Sequence, residues 1–302
     1  MNELLKKIAN QLTQYLQTKM EYRAHRPLSG GDINQVFLLK TTERGRFFVK
    51  INKASRLDMF LAEHAALEEI RESNTLQTPE PILAGVVGNH AFLVMEFIDM
   101  GAGTPRSEEA LGHGLARMHQ ITKPVGSTAP ATFGWYRNNT IGSTRQINQQ
   151  EQSWGIFWRE HRIGPQLRWA AERGASSTLL QKGEQLLTEI EPLLETGSPI
   201  PSLLHGDLWS GNWSTAKSGE PVIYDPALYY GDREADLAMT ELFGGFSSRF
   251  YSAYSEIWLL EDGYNWRKNL YNLYHILNHF NLFGGDYGRQ AERIVDTILP
   301  GS

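Results

Sequence analysis

Apolar positions in the N-terminal third of the chain alternate between helical and extended spacing. Leu4, Leu5, Ile8, Leu12, Tyr15 and Leu16 share one stripe and predict an amphipathic helix over residues 2–19. The run from Leu28 to Leu39 reads as a glycine turn entering a strand, and Arg46–Ile51 as its antiparallel partner. A helix is expected from about Ser55 to Arg71, with Ser55 as N-cap and Leu57, Phe60, Leu67 and Ile70 facing inward. Ile82–Val87 and Ala91–Ile98 flank Gly88-Asn89, a two-residue hairpin signal. After Ser107 the pattern turns mainly helical, and Gly101, Gly103 and Pro105 punctuate the change. The pattern therefore predicts an α+β chain: a small antiparallel-sheet lobe over residues 1–98 and a helical lobe over 99–302. Residues 121–150 lack helical period and are rich in Gly, Ser, Thr and Asn, which predicts a long loop near a substrate entrance.

Composition narrows the class without choosing a function. The 302 residues are 41% hydrophobic and 21% charged, enough to bury a core. A net charge of −5 argues against a broad nucleic-acid surface. The lack of cysteine excludes disulfides, a thiol nucleophile and thiolate metal sites. The first residues are amphipathic and mixed in charge, unlike a signal peptide, and no apolar run reaches membrane-spanning length. The expectation is a cytoplasmic globular protein with no nucleic-acid or membrane partner; oligomeric state is not legible.

One stretch carries chemistry. In Ser202–Trp213, Asp207 precedes Asn212 by five residues, and Asp225 follows thirteen later at the end of an apolar run. Carboxylate, amide and carboxylate at those intervals suit a phosphotransferase: Asp207 as base for a hydroxyl nucleophile, Asn212 and Asp225 on Mg2+ beside ATP phosphates. Lys50 ends the apolar run Phe47-Phe48-Val49, where an ammonium needs an anion; contact with nucleotide phosphates supplies one, braced by Glu63 on the following helix. The bland alternative is a surface lysine on an edge strand. Gly30 and Gly31 are weaker candidates for a phosphate turn, since paired glycines also mark ordinary hairpins. The strand Phe92–Ile98 would carry an adenine-binding hinge.

These motifs resemble the fructosamine kinase (ketosamine-3-kinase) family, related to aminoglycoside and choline phosphotransferases. The resemblance is carried by His205-Gly-Asp-Leu-Trp-Ser-Gly-Asn212, by the run from Asp225 to Met239, and by Leu242-Phe-Gly-Gly-Phe246. Further matches are Phe133–Thr144 and Leu277–Gly285. It implies a bilobal protein-kinase-like enzyme that uses ATP to phosphorylate the 3-hydroxyl of a free or protein-bound ketosamine, the Amadori adduct of a sugar and an amine. By position it implies Asp207 as catalytic base, Asn212 and Asp225 as magnesium ligands, Lys50 and Glu63 as the phosphate-positioning pair, and Glu96, Phe97, Ile98 and Asp99 as the hinge. Asp232 departs from the histidine of many members. Trp209 is a candidate for the sugar face or, alternatively, for core packing. His205 is read as a scaffold that bonds backbone, and Asp236 as a helix cap bracing the loop rather than a metal ligand. Trp154, Phe157, Trp158, Trp258 and Trp266 read as helix-core aromatics. The competing readings are a kinase of the same fold for an aminoglycoside, choline or a sugar, and a catalytically dead binding module.

Overall fold

The structure is a computed structural model and describes residues 1–29, 33–43, 45–195 and 199–299. The N-terminal half is built from α1 (Asn2–Leu16), β1 (Tyr22–Pro27), β2 (Gln35–Thr41), β3 (Arg46–Lys53), α2 (Leu57–Glu72), β4 (Pro81–Val87) and β5 (His90–Glu96). The strands form one antiparallel sheet in the order β1-β2-β3-β5-β4. Residues paired across an antiparallel ladder share a face, and neighbours along a strand do not. Phe37, Leu39, Phe47, Val49, Ile51, Phe92 and Val94 thus point to one side, where Leu5, Ile8, Ala9 and Leu12 of α1 cover them. Each buried Leu or Ile there contributes on the order of 1.5–3 kcal/mol. The opposite parity puts Phe48, Leu93 and Met95 against Met59, Phe60 and Leu67 of α2. Lys50, paired with Val36 and Leu93, belongs to this second face. Strand register alone therefore turns Lys50 toward α2.

Two expectations change here. The β1 strand is absent from the hydrophobic pattern because Tyr22-Arg-Ala-His-Arg-Pro27 is an exposed edge with no apolar alternation. Ser55 caps nothing: it lies in a 3-10 turn, Ala54–Arg56, and Arg56 precedes α2 without a side-chain cap. The hairpin is where the glycine signal puts it, with Gly88 and Asn89 joining β4 to β5.

The helical half comprises α3 (Pro105–His119), β6 (Asn139–Ile141), β7 (Thr144–Gln146), α4 (Trp154–Trp158), α5 (Gly164–Glu172), α6 (Ser177–Glu195), β8 (Ser202–Leu204), β9 (Trp213–Thr215), β10 (Pro221–Ile223), β11 (Tyr229–Gly231), α7 (Glu234–Leu242), α8 (Ser248–Ile257), α9 (Tyr264–Phe283) and α10 (Tyr287–Ile298). Thr104 and Ser107 close a reciprocal capping box at the start of α3. A single core joins these helices; Trp154, Phe157 and Trp158 are fully buried in it, while Trp258 and Trp266 pack on its margin. Residues 121–150 are not a plain loop. Their β6–β7 hairpin is sealed by buried amides, with Asn139 Nδ2 donating to Leu228 O (2.8 Å) and Gln146 Nε2 to Ala227 O (2.9 Å). No helix among the described residues is long and apolar enough to cross a membrane.

Candidate active site

The loop between β8 and β9 is fixed by backbone bonds that leave it little freedom. Asp236, in the first turn of α7, accepts from the N–H of His205 (2.7 Å) and of Gly206 (2.8 Å). The cap position of α7 belongs to Arg233, so Asp236 braces the loop directly and caps no helix. His119 Nε2 approaches the same carboxylate (3.2 Å), and its Nδ1 meets Tyr254 OH (2.8 Å). Burial works against the Asp236 charge, yet the bond and charge of His119 and the Gly206 N–H hold its carboxyl below the usual value. The ring of His205 is spent on backbone: Nε2 donates to Tyr224 O (3.0 Å), and Nδ1 accepts from Asp207 N–H (3.2 Å). Those partners admit only the neutral tautomer protonated on Nε2, and burial lowers the pKa accordingly.

Asp207 follows on this support. Asn212 Nδ2 donates to its carbonyl (2.8 Å) and to its Oδ2 (3.2 Å), which is the local reason for the five-residue spacing. Loss of solvent pushes the Asp207 carboxyl well above the ordinary range; the charge of Asp225 adds, the Asn212 amide opposes, and Asp236 adds a little more.

Asp225 stands after β10 with φ +60°. The other described non-glycine residues in that region, Gln17 and Asn74, end helices. Asp225 ends none; it holds a left-handed backbone that persists only where the surrounding contacts fix it. Its Oδ1 accepts from Lys50 Nζ at 2.6 Å, and the same ammonium donates to Glu63 Oε1 at 2.5 Å. Burial disfavours the Lys50 charge, but Asp225 and Glu63 more than offset it and keep the pKa above its ordinary value. Residues distant in sequence thus form two sets, Glu63–Lys50–Asp225 and Asn212–Asp207, which the backbone bond from Tyr224 N, beside Asp225, to Asn212 O (3.0 Å) holds next to each other.

No three His, Cys, Asp or Glu side chains converge as a metal cluster among the described residues. The oxygen pair at hand is different in kind. Asn212 spends its Nδ2 on Asp207, no described bond uses its Oδ1, and the Asp225 side chain is 46% exposed. A carboxylate with an amide oxygen is a fitting donor set for a hard cation that retains waters and takes phosphate oxygens.

Beyond β5, Asp99 pairs with Arg46 (2.7 and 2.5 Å), whose guanidinium lies over the Phe97 ring, and Asp99 O accepts from Lys217 N (2.8 Å). A cavity of about 400 Å³ adjoins this segment, lined by Arg26, Leu38, Lys40, Arg46, Phe97 and Asp99. Leu38 and Lys40 share the sheet face of Lys50. The Glu96 side chain turns away to Glu80 N (3.3 Å). Gly30 and Gly31 lie outside the described residues.

A family model described as Fructosamine kinase matches residues 4–300. The chain belongs to the fructosamine kinase family. A probable ketoamine kinase of Synechocystis is 44% identical over 292 residues, which cover 97% of this chain and 96% of that protein. The chloroplastic protein-ribulosamine 3-kinase of Oryza sativa subsp. indica is 41% identical over 273 residues, 90% of this chain and 78% of its own length. A crystal structure bearing the name fructosamine-3-kinase, from Haemophilus somnus, gives a TM-score of 0.87 at 29% identity, covering 97% of this chain and 96% of that one. The choline kinase LicA from Streptococcus pneumoniae gives 0.64 at 15% identity over 98% and 99% of the two chains, which speaks for the fold alone. The fold is the bilobal α+β fold of protein-kinase-like phosphotransferases.

In this fructosamine kinase family member, Trp209 is not a core residue; it is 38% exposed. Its ring lies on Gly211, where a Cβ would come within 2.4 Å of it, and its edge meets Phe243 at 6.4 Å between centroids. Phe243 continues to His279 (4.9 Å), giving an aromatic row that begins at Trp209, two residues after Asp207. Sequence reasoning gave Phe243 and His279 no role; both stand inside the motifs that carry the resemblance, which is the signal available for them.

Proposed function

We propose that the protein is an ATP-dependent, magnesium-using kinase that phosphorylates the 3-hydroxyl of ketosamines, the fructosamine and ribulosamine adducts of small amines or proteins. The observation that carries this reading is the placing of the Glu63–Lys50–Asp225 set beside the Asn212–Asp207 pair within a chain so similar to proteins named ketoamine and ribulosamine kinases. In this reading the lobes divide between residues 98 and 99, and Glu96, Phe97, Ile98 and Asp99 present backbone and a ring to adenine. Gly30, Gly31 and Lys50 are assigned to the phosphates, with Glu63 aligning the ammonium. Asn212 Oδ1 and Asp225 would hold magnesium, which when bound supplies charge neutralisation on the phosphates. His205 and Asp236 hold the loop.

Asp207 accepts the hydrogen bond of the substrate hydroxyl, aims its lone pair, and takes the proton as the new P–O bond forms and the bond from the γ-phosphorus to the leaving ADP oxygen breaks. A carboxyl pushed above its ordinary value is better matched to that task than a fully solvated aspartate. Phosphoryl transfer demands alignment more than basicity, and alignment is what the fixed loop supplies. Trp209 offers its exposed face to the C–H side of the sugar. We extend the proposal to the cytoplasm, where ATP is available.

The test is ADP release, with NMR of the phosphorylated product, on fructosyl-lysine, ribulosyl-lysine, choline and an aminoglycoside. Phosphate on the 3-hydroxyl of a ketosamine is expected. Turnover of choline or the aminoglycoside without either ketosamine would sink the reading, and Mg-ATP binding without any turnover would favour a binding module.

A further inference from the structure

Helix α2 carries a second buried carboxylate for which phosphoryl transfer has no obvious use. Glu69 is 8% exposed, and none of the described ion pairs includes it. Its Oε2 accepts from Trp135 Nε1 (2.7 Å) and its Oε1 from Tyr230 OH (2.8 Å). A buried carboxylate satisfied only by neutral donors is costly to keep unless its position matters.

Both donors come from the helical half and are themselves fixed. Gly134 and Tyr230 exchange two backbone bonds (2.8 and 2.9 Å), which locks the two donor segments together. Tyr230 lies in β11 and pairs with Leu203 of β8, the strand that runs into His205 and Asp207. The same half touches α2 again where Arg137 Nη1 donates to Leu61 O (3.0 Å), and the adjoining turn where Arg56 Nη1 donates to Ser143 O (3.2 Å). A mechanical path therefore runs from the catalytic loop through β8, β11 and Glu69 into α2, and along α2 to Glu63 and Lys50.

We infer that Glu69 is a positioning residue: held by Trp135 and Tyr230, it latches α2 to the strand behind the catalytic loop and so fixes Glu63 where it pairs with Lys50. The inference rests on the Lys50–Glu63 role proposed above. Residues 121–150 then act as a clamp on α2.

The test is a double-mutant cycle of Glu69→Gln and Glu63→Gln on the full chain, with kcat and the KM for ATP measured for each, and Tyr230→Phe as a milder cut of the same latch. Glu69→Gln should lower kcat/KM for ATP between about twofold and thirtyfold, with the KM for ketosamine unchanged, and Tyr230→Phe should do so less strongly. Because Glu69 acts through Glu63, the double variant should be no worse than Glu63→Gln alone. Losses that multiply overturn the latch while leaving the Lys50–Glu63 role standing. A fully active Glu63→Gln overturns both. If Glu69→Gln does not fold, Tyr230→Phe decides in the same cycle: full activity, or a multiplicative loss with Glu63→Gln, refutes the inference.

Discussion

Gly206→Ala tests whether the catalytic loop is held as tightly as its contacts imply. Gly206 has φ +81°, where an L side chain costs on the order of 1–2 kcal/mol. A Cβ there would stand 2.1 Å from Ala227 O and 2.7 Å from Ala227 C, both backbone. The loop must part from the segment after Asp225 by roughly 1 Å, and such overpacking costs about 1–3 kcal/mol. The bond from Ala227 N to His205 O (2.9 Å) spans the same gap, and its loss adds about 1 kcal/mol. The sum is on the order of 3–6 kcal/mol, a large share of a typical folding stability of about 5–15 kcal/mol. Gly174 has nearly the same φ, +80°, with nothing within 4 Å. Gly174→Ala therefore isolates the conformational strain. Urea unfolding followed by tryptophan fluorescence should rank Gly206→Ala well below Gly174→Ala. Folded Gly206→Ala should also lose about 100-fold in kcat, because the displacement separates Asp207 from Asp225. Equal midpoints for the two variants, or a Gly206→Ala enzyme within twofold of wild-type kcat, would refute the reasoning.

Other expected outcomes are narrower. Asp207→Asn should lower kcat by about 10²- to 10⁴-fold while calorimetry finds Mg-ATP affinity within a few-fold of wild type; activity above a tenth removes Asp207 from its assigned role. Trp209→Ala should raise the KM for ketosamine by roughly 3- to 10-fold and leave the KM for ATP and the melting temperature nearly unchanged, since the ring is substantially exposed; a large drop in melting temperature would return Trp209 to the core. Burial, aided by the charge of His279 and opposed by Asp236, pulls the buried His275 down to about 3. The unfolded chain then takes up a proton near pH 6.5 that the folded chain refuses, so this contribution is complete above pH 6.5 and shrinks toward pH 3. The slope is about 1.4 kcal/mol per pH unit. His275→Gln should flatten the urea-midpoint profile between pH 6.5 and 5 relative to wild type, and parallel profiles would exclude the effect.

What was legible in the sequence follows from how strongly chemistry constrains spacing. Asp207, Asn212 and Asp225 could be found because an amide five residues on bonds back to the aspartate, and an apolar strand delivers the second carboxylate. Lys50 stood out as a charge closing an apolar run, and strand parity explains its direction. Glu69 gave no such signal: beside Glu68 and near Glu72 it reads as one acid among several, and only packing singles it out. The β1 edge was hidden for the opposite reason, since an exposed strand requires no alternation. Residues 121–150 read as loop because their order comes from Asn139, Gln146 and Asn148, whose buried amides bond backbone and each other. Composition counts the two asparagines as loop formers.

Three carboxylates with little exposure share a logic that stability alone does not supply. Glu63, Glu69 and Asp236 spend their oxygens on fixed donors: an ammonium, two aromatic donors, and two loop N–H groups with a histidine. In other proteins, buried ionic groups can often be replaced by apolar residues of similar volume with no loss of stability. A hydrophobic contact would bind the same elements, but it is non-directional and tolerates sliding. A charged hydrogen bond of under 3 Å does not, because a small displacement leaves a charge unsolvated in the interior. Phosphoryl transfer penalises misplacement more than it rewards any single contact. The sheet half, through α2, and the helical half, through α7, are each pinned by a carboxylate, and the Lys50–Asp225 pair stands where the two meet.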